Sequence, residues 1–108
     1  MNTDYNKITA IINTSMLEAV EEKLKQLCVP GISITRVQGY GEGHNFFRSD
    51  WICEHARIEV FIENNRTEEV VQGIMDAAHS GNEGDGIIAV LPVNSLYRIR
   101  TKQPVEIG

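Results

Sequence analysis

The sequence predicts an α+β domain with the element order β-α-β-β-α-β and a short extended piece after the last strand. Two stretches repeat apolar residues at helical spacing, and four others are β-branched or alternate strictly between apolar and polar residues. Their order puts one helix between the first two strands and one between the last two. Turn-forming residues, Pro30-Gly31 and the glycines from Gly81 to Gly86, fall at the junctions.

The first strand is Ile8–Asn13, short and β-branched. "TSMLEAVEEKLKQL" follows, with Leu17, Val20, Leu24 and Leu27 on one helical face. Ser15 and Glu18 have capping-box spacing and predict the helix start, and Pro30-Gly31 predicts its end. Ile32–Tyr40 is the second strand. The segment from Glu42 to His55 has no clean period and reads as a loop. Ala56–Ile62 alternates, with Ile58, Val60 and Ile62 on one face and Arg57, Glu59 and Phe61 on the other. Asn65 and Glu68 suggest a second capped start, and Val70, Val71, Ile74, Ala77 and Ala78 form the apolar face of a second helix, with Gly81 expected as its C-cap. Ile87–Leu91 is then a buried strand broken by Pro92, and "LYRIRT" a last extended piece.

This order is the split βαβ, or ferredoxin-like, arrangement of one antiparallel sheet with two helices on one face. The other face is expected to present apolar side chains that no helix buries, so self-association should cover it. The 108 residues form a single domain, 42% hydrophobic and 23% charged, as in an ordinary soluble protein. A net charge of −5 argues against a nucleic-acid partner. No apolar run approaches the roughly 20 residues that span a membrane, and the N-terminus has no signal-peptide pattern. Two cysteines make no disulfide framework, which points to a cytoplasmic chain with free thiols.

"HSGNEGDGIIAV" places three glycines in the connection from the second helix to the last strand, where closing a helix needs one. Such a turn is open to two readings. It is a tight αβ loop, or its consecutive N–H groups form a concave nest for an anion, braced by Asp85. Arg98 and Arg100 alternate along an extended "YRIRT" and are expected to point the same way. Side by side they suit either salt bridges to surface acids or a phosphate held bidentately. Gly39-Tyr40-Gly41 closes the second strand.

Together "KITAII…LEAVEEKL…VPGISITRVQGYG…ARIEVFI…SGNEGDGIIAV…LYRIRT" resembles the PII family of nitrogen-regulatory signal-transduction proteins, from Lys7 to Thr101. The most specific parts are "GDG" after the second helix and "RIRT" near the C-terminus. The resemblance implies a homotrimer of ferredoxin-like subunits without catalysis of its own. It would bind ADP, AMP or ATP as ligands, with no cofactor, in clefts between subunits. Signalling would run through a long loop, the T-loop, to a target such as a membrane transporter or a component of carbon or nitrogen metabolism. It implies nucleotide contacts from Ser33, Gly39, Tyr40, Gly41, Glu59, Phe61 and Ser80, phosphates wrapped by Gly84, Asp85 and Gly86, and Arg98 and Arg100 reaching in from the neighbouring subunit.

The chain departs from the family pattern in ways that bear on function. The segment between Gly41 and Ala56 is shorter than the usual T-loop and contains no tyrosine to accept a uridylyl group. Glu42 stands where a basic residue usually follows Gly41, Ile87 stands where a lysine follows the GDG turn, and the glutamine tied to Mg-ATP and 2-oxoglutarate has no counterpart. These changes favour ADP or AMP over ATP and point to a divergent, PII-like branch. In the loop, Phe46, Phe47, Arg48 and Trp51 are candidates for partner contact, with local packing as the other reading. His44, Cys53 and His55 contain one Cys-x-His without a second pair, so no metal site is expected. Two other classes compete: a trimeric metal-binding protein of the copper-tolerance type, which lacks GDG and RIRT, and a small enzyme using Asp85, Cys53 or His79, which the sequence does not group.

Overall fold

A computed structural model describes residues 4–39, 53–81 and 83–105. Strand β1 spans Tyr5–Asn13, helix α1 Leu17–Gln26, β2 Ser33–Gly39, β3 Cys53–Glu63, helix α2 Thr67–Ala78 and β4 Gly86–Val93. A small hairpin follows, β5 Tyr97–Arg98 against β6 Gln103–Pro104. The four long strands form one antiparallel sheet in the order β2-β3-β1-β4, so the expected ferredoxin-like α+β fold is what the chain adopts.

The period-2 pattern sets the core. Ile8, Ala10 and Ile12 of β1 and Ala56, Ile58, Val60 and Ile62 of β3 bury one sheet face against Val20 and Leu24 of α1 and Val70, Ile74 and Ala78 of α2. Burying one such large aliphatic side chain contributes roughly 1.5–3 kcal/mol. At the Tyr5 end, the buried Asn6 Nδ2 donates to Asn64 Oδ1 at 2.8 Å and to Thr67 Oγ1 at 3.0 Å, which ties β1 to the start of α2.

The helix ends differ from the sequence expectation. Asn13, not Ser15, is the first cap: its Oδ1 accepts from the Ser15 amide and hydroxyl, and a 3₁₀ turn over Thr14–Met16 precedes α1. A 3₁₀ turn over Asn64–Arg66 likewise replaces the cap expected at Asn65, and no side-chain bond caps α2. Helix α1 stops before Pro30-Gly31, in a Schellman turn with Val29 N–H donating to Leu24 O and Cys28 N–H to Lys25 O, both at 3.0 Å. Cys28 holds the left-handed position of that turn at φ +58°. At the far end of α2 the cap is His79, in extended conformation, rather than Gly81.

Two further expectations are corrected. The apolar run Ile87–Leu91 is an edge strand, not a buried one, and Pro92 lies within β4 instead of breaking it. An edge strand tolerates Pro92 because one side of its backbone has no strand to bond. Ile87, Val90 and Leu91 are 36%, 45% and 47% exposed in the subunit. The open sheet face is also not uniformly apolar. At its centre Lys7 Nζ meets Glu59 Oε2 at 3.1 Å, and apolar residues concentrate toward β4.

Candidate functional site

Most of the predicted residues that the structure describes collect at two ends of the sheet, with Ser33 and Glu59 between them. At the first end α2 leads into the turn 79–86. Its organiser is Asp85: Oδ2 accepts from the Ser80 and Gly81 amides, each at 2.8 Å, and Oδ1 accepts from the Ser80 hydroxyl. His79 Nδ1 lies 3.7 Å from Oδ2. The Ser80 hydroxyl, then the two amides and the nearby imidazole, hold the Asp85 carboxyl below the usual carboxylate range.

The three glycines of this turn have separate reasons to be there. Gly81 takes φ +89° with open space around its Cα. Gly86 takes φ +109° and lies so close to β1 that a Cβ would fall 1.8 Å from the Ile11 carbonyl oxygen. Gly84 has neither constraint: its φ is not left-handed, and the nearest atom to a Cβ there would be Asn13 Nδ2 at 4.0 Å. The fold therefore demands glycine at 86 and favours it at 81, and makes no demand at 84. A groove of about 310 Å³ runs beside the turn between α2 and β4, lined by Ile74, Met75, His79, Asp85, Ile88 and Val90 among others. Gly39, at the end of β2, lies at this same end on the opposite sheet edge.

At the second end, a groove of about 690 Å³ is lined by Tyr5, Gly31, Phe61, Leu96, Tyr97, Arg98 and Ile99. Phe61 is 46% exposed there. Arg98 sits in β5, whereas Arg100 lies in the turn that joins β5 to β6, so the expected same-side alternation along a strand is replaced by a hairpin. Ser33 pairs with Glu59 in the sheet register, between the two ends. Glu59 accepts from Lys7 and, at 3.4 Å, from Thr9 Oγ1, and the Lys7 ammonium beside it holds its carboxyl below the usual range.

The two ends lie far apart. Tyr5 lines the second groove and Ile12 the first, and both belong to β1. Seven residues of strand between them measure about 23 Å at ~3.3 Å each, so one phosphate group cannot touch both the turn and Arg98 of the same subunit. Tyr40, Gly41, Glu42, His44 and the loop candidates Phe46, Phe47, Arg48 and Trp51 lie outside the described residues. Cys53 and His55 belong to β3 rather than to a loop. Among the described residues, no group of three or more His, Cys, Asp or Glu is placed to hold a metal ion. The structure does bring His79, Ser80 and Asp85 together, yet the one proton of the Ser80 hydroxyl is directed at a carboxylate and not at an imidazole base.

Sequence reasoning missed Lys7 and Thr9 as partners of Glu59, and His79 as a neighbour of Asp85. Alternation with Ile8 and Ala10 puts Lys7 and Thr9 on the Glu59 face, so that signal was available.

A ferredoxin-like fold with a carboxylate-braced glycine turn at one end of its sheet and an arginine hairpin at the other defines a small α+β protein of the split βαβ class. The family model described as nitrogen regulatory protein P-II matches residues 5–103. The chain is 36% identical over 102 residues to the nitrogen regulatory protein P-II of Azospirillum brasilense, covering 88% of this chain and 91% of that one. It is 34% identical over 105 residues to that of Cyanidium caldarium, covering 91% and 93%. The crystal structure of Arabidopsis thaliana PII bound to citrate superposes with a TM-score of 0.82 at 28% identity, covering 97% of this chain and 92% of that one. This chain belongs to the nitrogen regulatory protein P-II family, a family of signalling regulators.

Proposed function

We propose that the chain senses adenine nucleotides in clefts between the subunits of a homotrimer. It favours ADP or AMP over ATP and signals to a target, a membrane transporter or a carbon- or nitrogen-metabolism component, through the segment 42–55. The observation that carries the reading is the division of the predicted contacts between two ends of one sheet. A site that needs both the turn at Gly84–Gly86 and the arginines at 98 and 100 is complete only where the turn of one copy meets the hairpin of another.

The nucleotide preference is supported by charge. Ile87, the second residue of β4, directly follows the GDG turn, where a lysine ammonium would offset phosphate repulsion. Asp85 contributes a carboxylate to the turn, and Glu42 another acid in place of a basic residue. Each missing charged contact is worth ~1.5–3 kcal/mol, and the γ phosphate of ATP depends on such contacts most. Calorimetric titration with AMP, ADP and ATP, with and without magnesium, tests it, alongside light scattering for the oligomer. The expected result is a mass three times the 12.1 kDa subunit, with ADP or AMP at least as tight as ATP. Tight, magnesium-dependent ATP binding with ADP and AMP clearly weaker would overturn the preference. A monomer at micromolar concentration would overturn the intersubunit site.

A further inference from the structure

We propose that Asp85 and Ser80 are positioning residues of the nucleotide site, locking the turn so that Gly84 is the part of it that meets the ligand. The inference rests on the nucleotide reading above and refines it, because that reading counts Ser80 and Asp85 among the ligand contacts.

The geometry of the turn points this way. Two consecutive amides, Ser80 and Gly81, converge on one carboxylate oxygen of Asp85, and the Ser80 hydroxyl bonds the other. These are the donors that a nest would offer to an incoming anion, and the chain's own carboxylate already engages them. The turn is pinned a second time where Gly86 presses on the Ile11 carbonyl. Between the two pins stands Gly84, beside Asp85 in a 3₁₀ turn, where a Cβ would meet nothing nearer than Asn13 Nδ2 at 4.0 Å. A 3₁₀ turn fixed at both flanks holds Gly84 and Asp85 in place, so a ligand need not order them on binding.

The placement separates two roles that the GDG motif merges. A carboxylate among phosphates is repulsive, so Asp85 makes a poor direct contact, but it makes a good brace for amides that would otherwise face the cleft unpaired. Ser80 then acts on the site largely through its two bonds to Asp85, and the effects of the two residues should be coupled.

Calorimetric titration of ADP into the full-length protein and the variants Asp85→Ala, Asp85→Asn, Ser80→Ala and the double variant Ser80→Ala/Asp85→Ala tests this, with thermal midpoint and oligomer mass measured for each. Asp85→Ala is expected to weaken ADP on the order of tenfold. Asp85→Asn, which keeps an acceptor for the two amides, should fall between it and the wild type. Ser80→Ala should weaken binding a few-fold alone and by clearly less in the Asp85→Ala background. If Asp85→Ala does not fold, the same comparison is made on Asp85→Asn, where Ser80→Ala should have a reduced effect. Equal losses from Ser80→Ala with and without Asp85 would mean that Ser80 touches the ligand and would overturn the proposal. Tighter ADP binding by Asp85→Ala would also overturn it, by making the carboxylate a stand-in for the ligand's anion. A wild type that binds no adenine nucleotide at all overturns the nucleotide reading itself, and this inference with it.

Discussion

Substituting alanine at each glycine of the 79–86 turn separates what the fold requires from what a ligand requires. Gly86→Ala faces two penalties. Its φ of +109° is one that L side chains rarely adopt, which costs of order 1–3 kcal/mol. The new Cβ would also lie 1.8 Å from the Ile11 carbonyl oxygen, where real Cβ atoms essentially never come within 3.0 Å, so β4 must retreat from β1 by about 1.2 Å, the difference of the two distances. That retreat weakens the ladder where Gly86 pairs with Ile12 and Ile87 with Ile11, at ~0.5–1.5 kcal/mol for each hydrogen bond lost. With two such bonds lost the total is about 2–6 kcal/mol, a large share of the ~5–15 kcal/mol that an ordinary domain has. Gly81→Ala, with its φ of +89° and no neighbour within 4 Å, meets only the conformational penalty, roughly 1–2 kcal/mol. Gly84→Ala meets neither and should stay within about 0.5 kcal/mol of wild type. Urea unfolding at one protein concentration, so that any assembly is held constant, ranks the three by midpoint. If Gly86→Ala unfolds with the wild type, or if Gly84→Ala falls as far as Gly86→Ala, the division of roles in this turn is wrong.

Arg98→Ala and Arg100→Ala, both on the exposed hairpin, should leave the thermal midpoint unchanged and each weaken ADP by ~1.5–3 kcal/mol; calorimetry showing wild-type affinity in both would remove the hairpin from the site. Cys28→Gly should stabilise the end of α1, since an exposed L residue at φ +58° costs ~1–2 kcal/mol against ~0.5–1 kcal/mol for glycine's extra chain freedom; Cys28→Val should destabilise it, and thermal unfolding reads both. Because the folded Asp85 carboxyl titrates below its usual range, its contribution is present at neutral pH and lost as pH falls through the folded value. Acid-side thermal midpoints should therefore drop less steeply in Asp85→Asn than in wild type. Parallel curves would show that the brace does not distinguish the charged form.

Elements whose pattern reflects burial within one subunit were legible in the sequence. Ile58, Val60 and Ile62 and the apolar faces of both helices lie in the core as their periodicity predicts. What failed depends on information that periodicity does not carry. An unbroken apolar run such as Ile87–Leu91 reads the same for a strand covered by its own chain and for an edge strand, and this one is an edge. The hairpin after it was invisible because its turn, residues 99–102, holds no glycine, proline or asparagine, and the left-handed position falls on Lys102 at φ +58°. Cys28 hid the end of α1 in the same way, taking the place where glycine is expected while Gly31 drew attention three residues later. Of the candidate site, the GDG turn was legible by composition, but the engagement of the Ser80 and Gly81 amides by Asp85 is a matter of geometry.

The distance between the two ends of β1 carries a genetic consequence. If each cleft joins the turn of one subunit to the hairpin of the next, a chain damaged at Gly84 and a chain damaged at Arg98 each form a ring with no intact cleft. Mixed in one ring of three, they need not be silent. Wherever a subunit with an undamaged turn is followed by one with an undamaged hairpin, a complete cleft reappears, and every mixed ring contains one such junction. Co-expressing the two defective chains should therefore restore binding at about one cleft per mixed ring, and two defective alleles would complement one another in a cell.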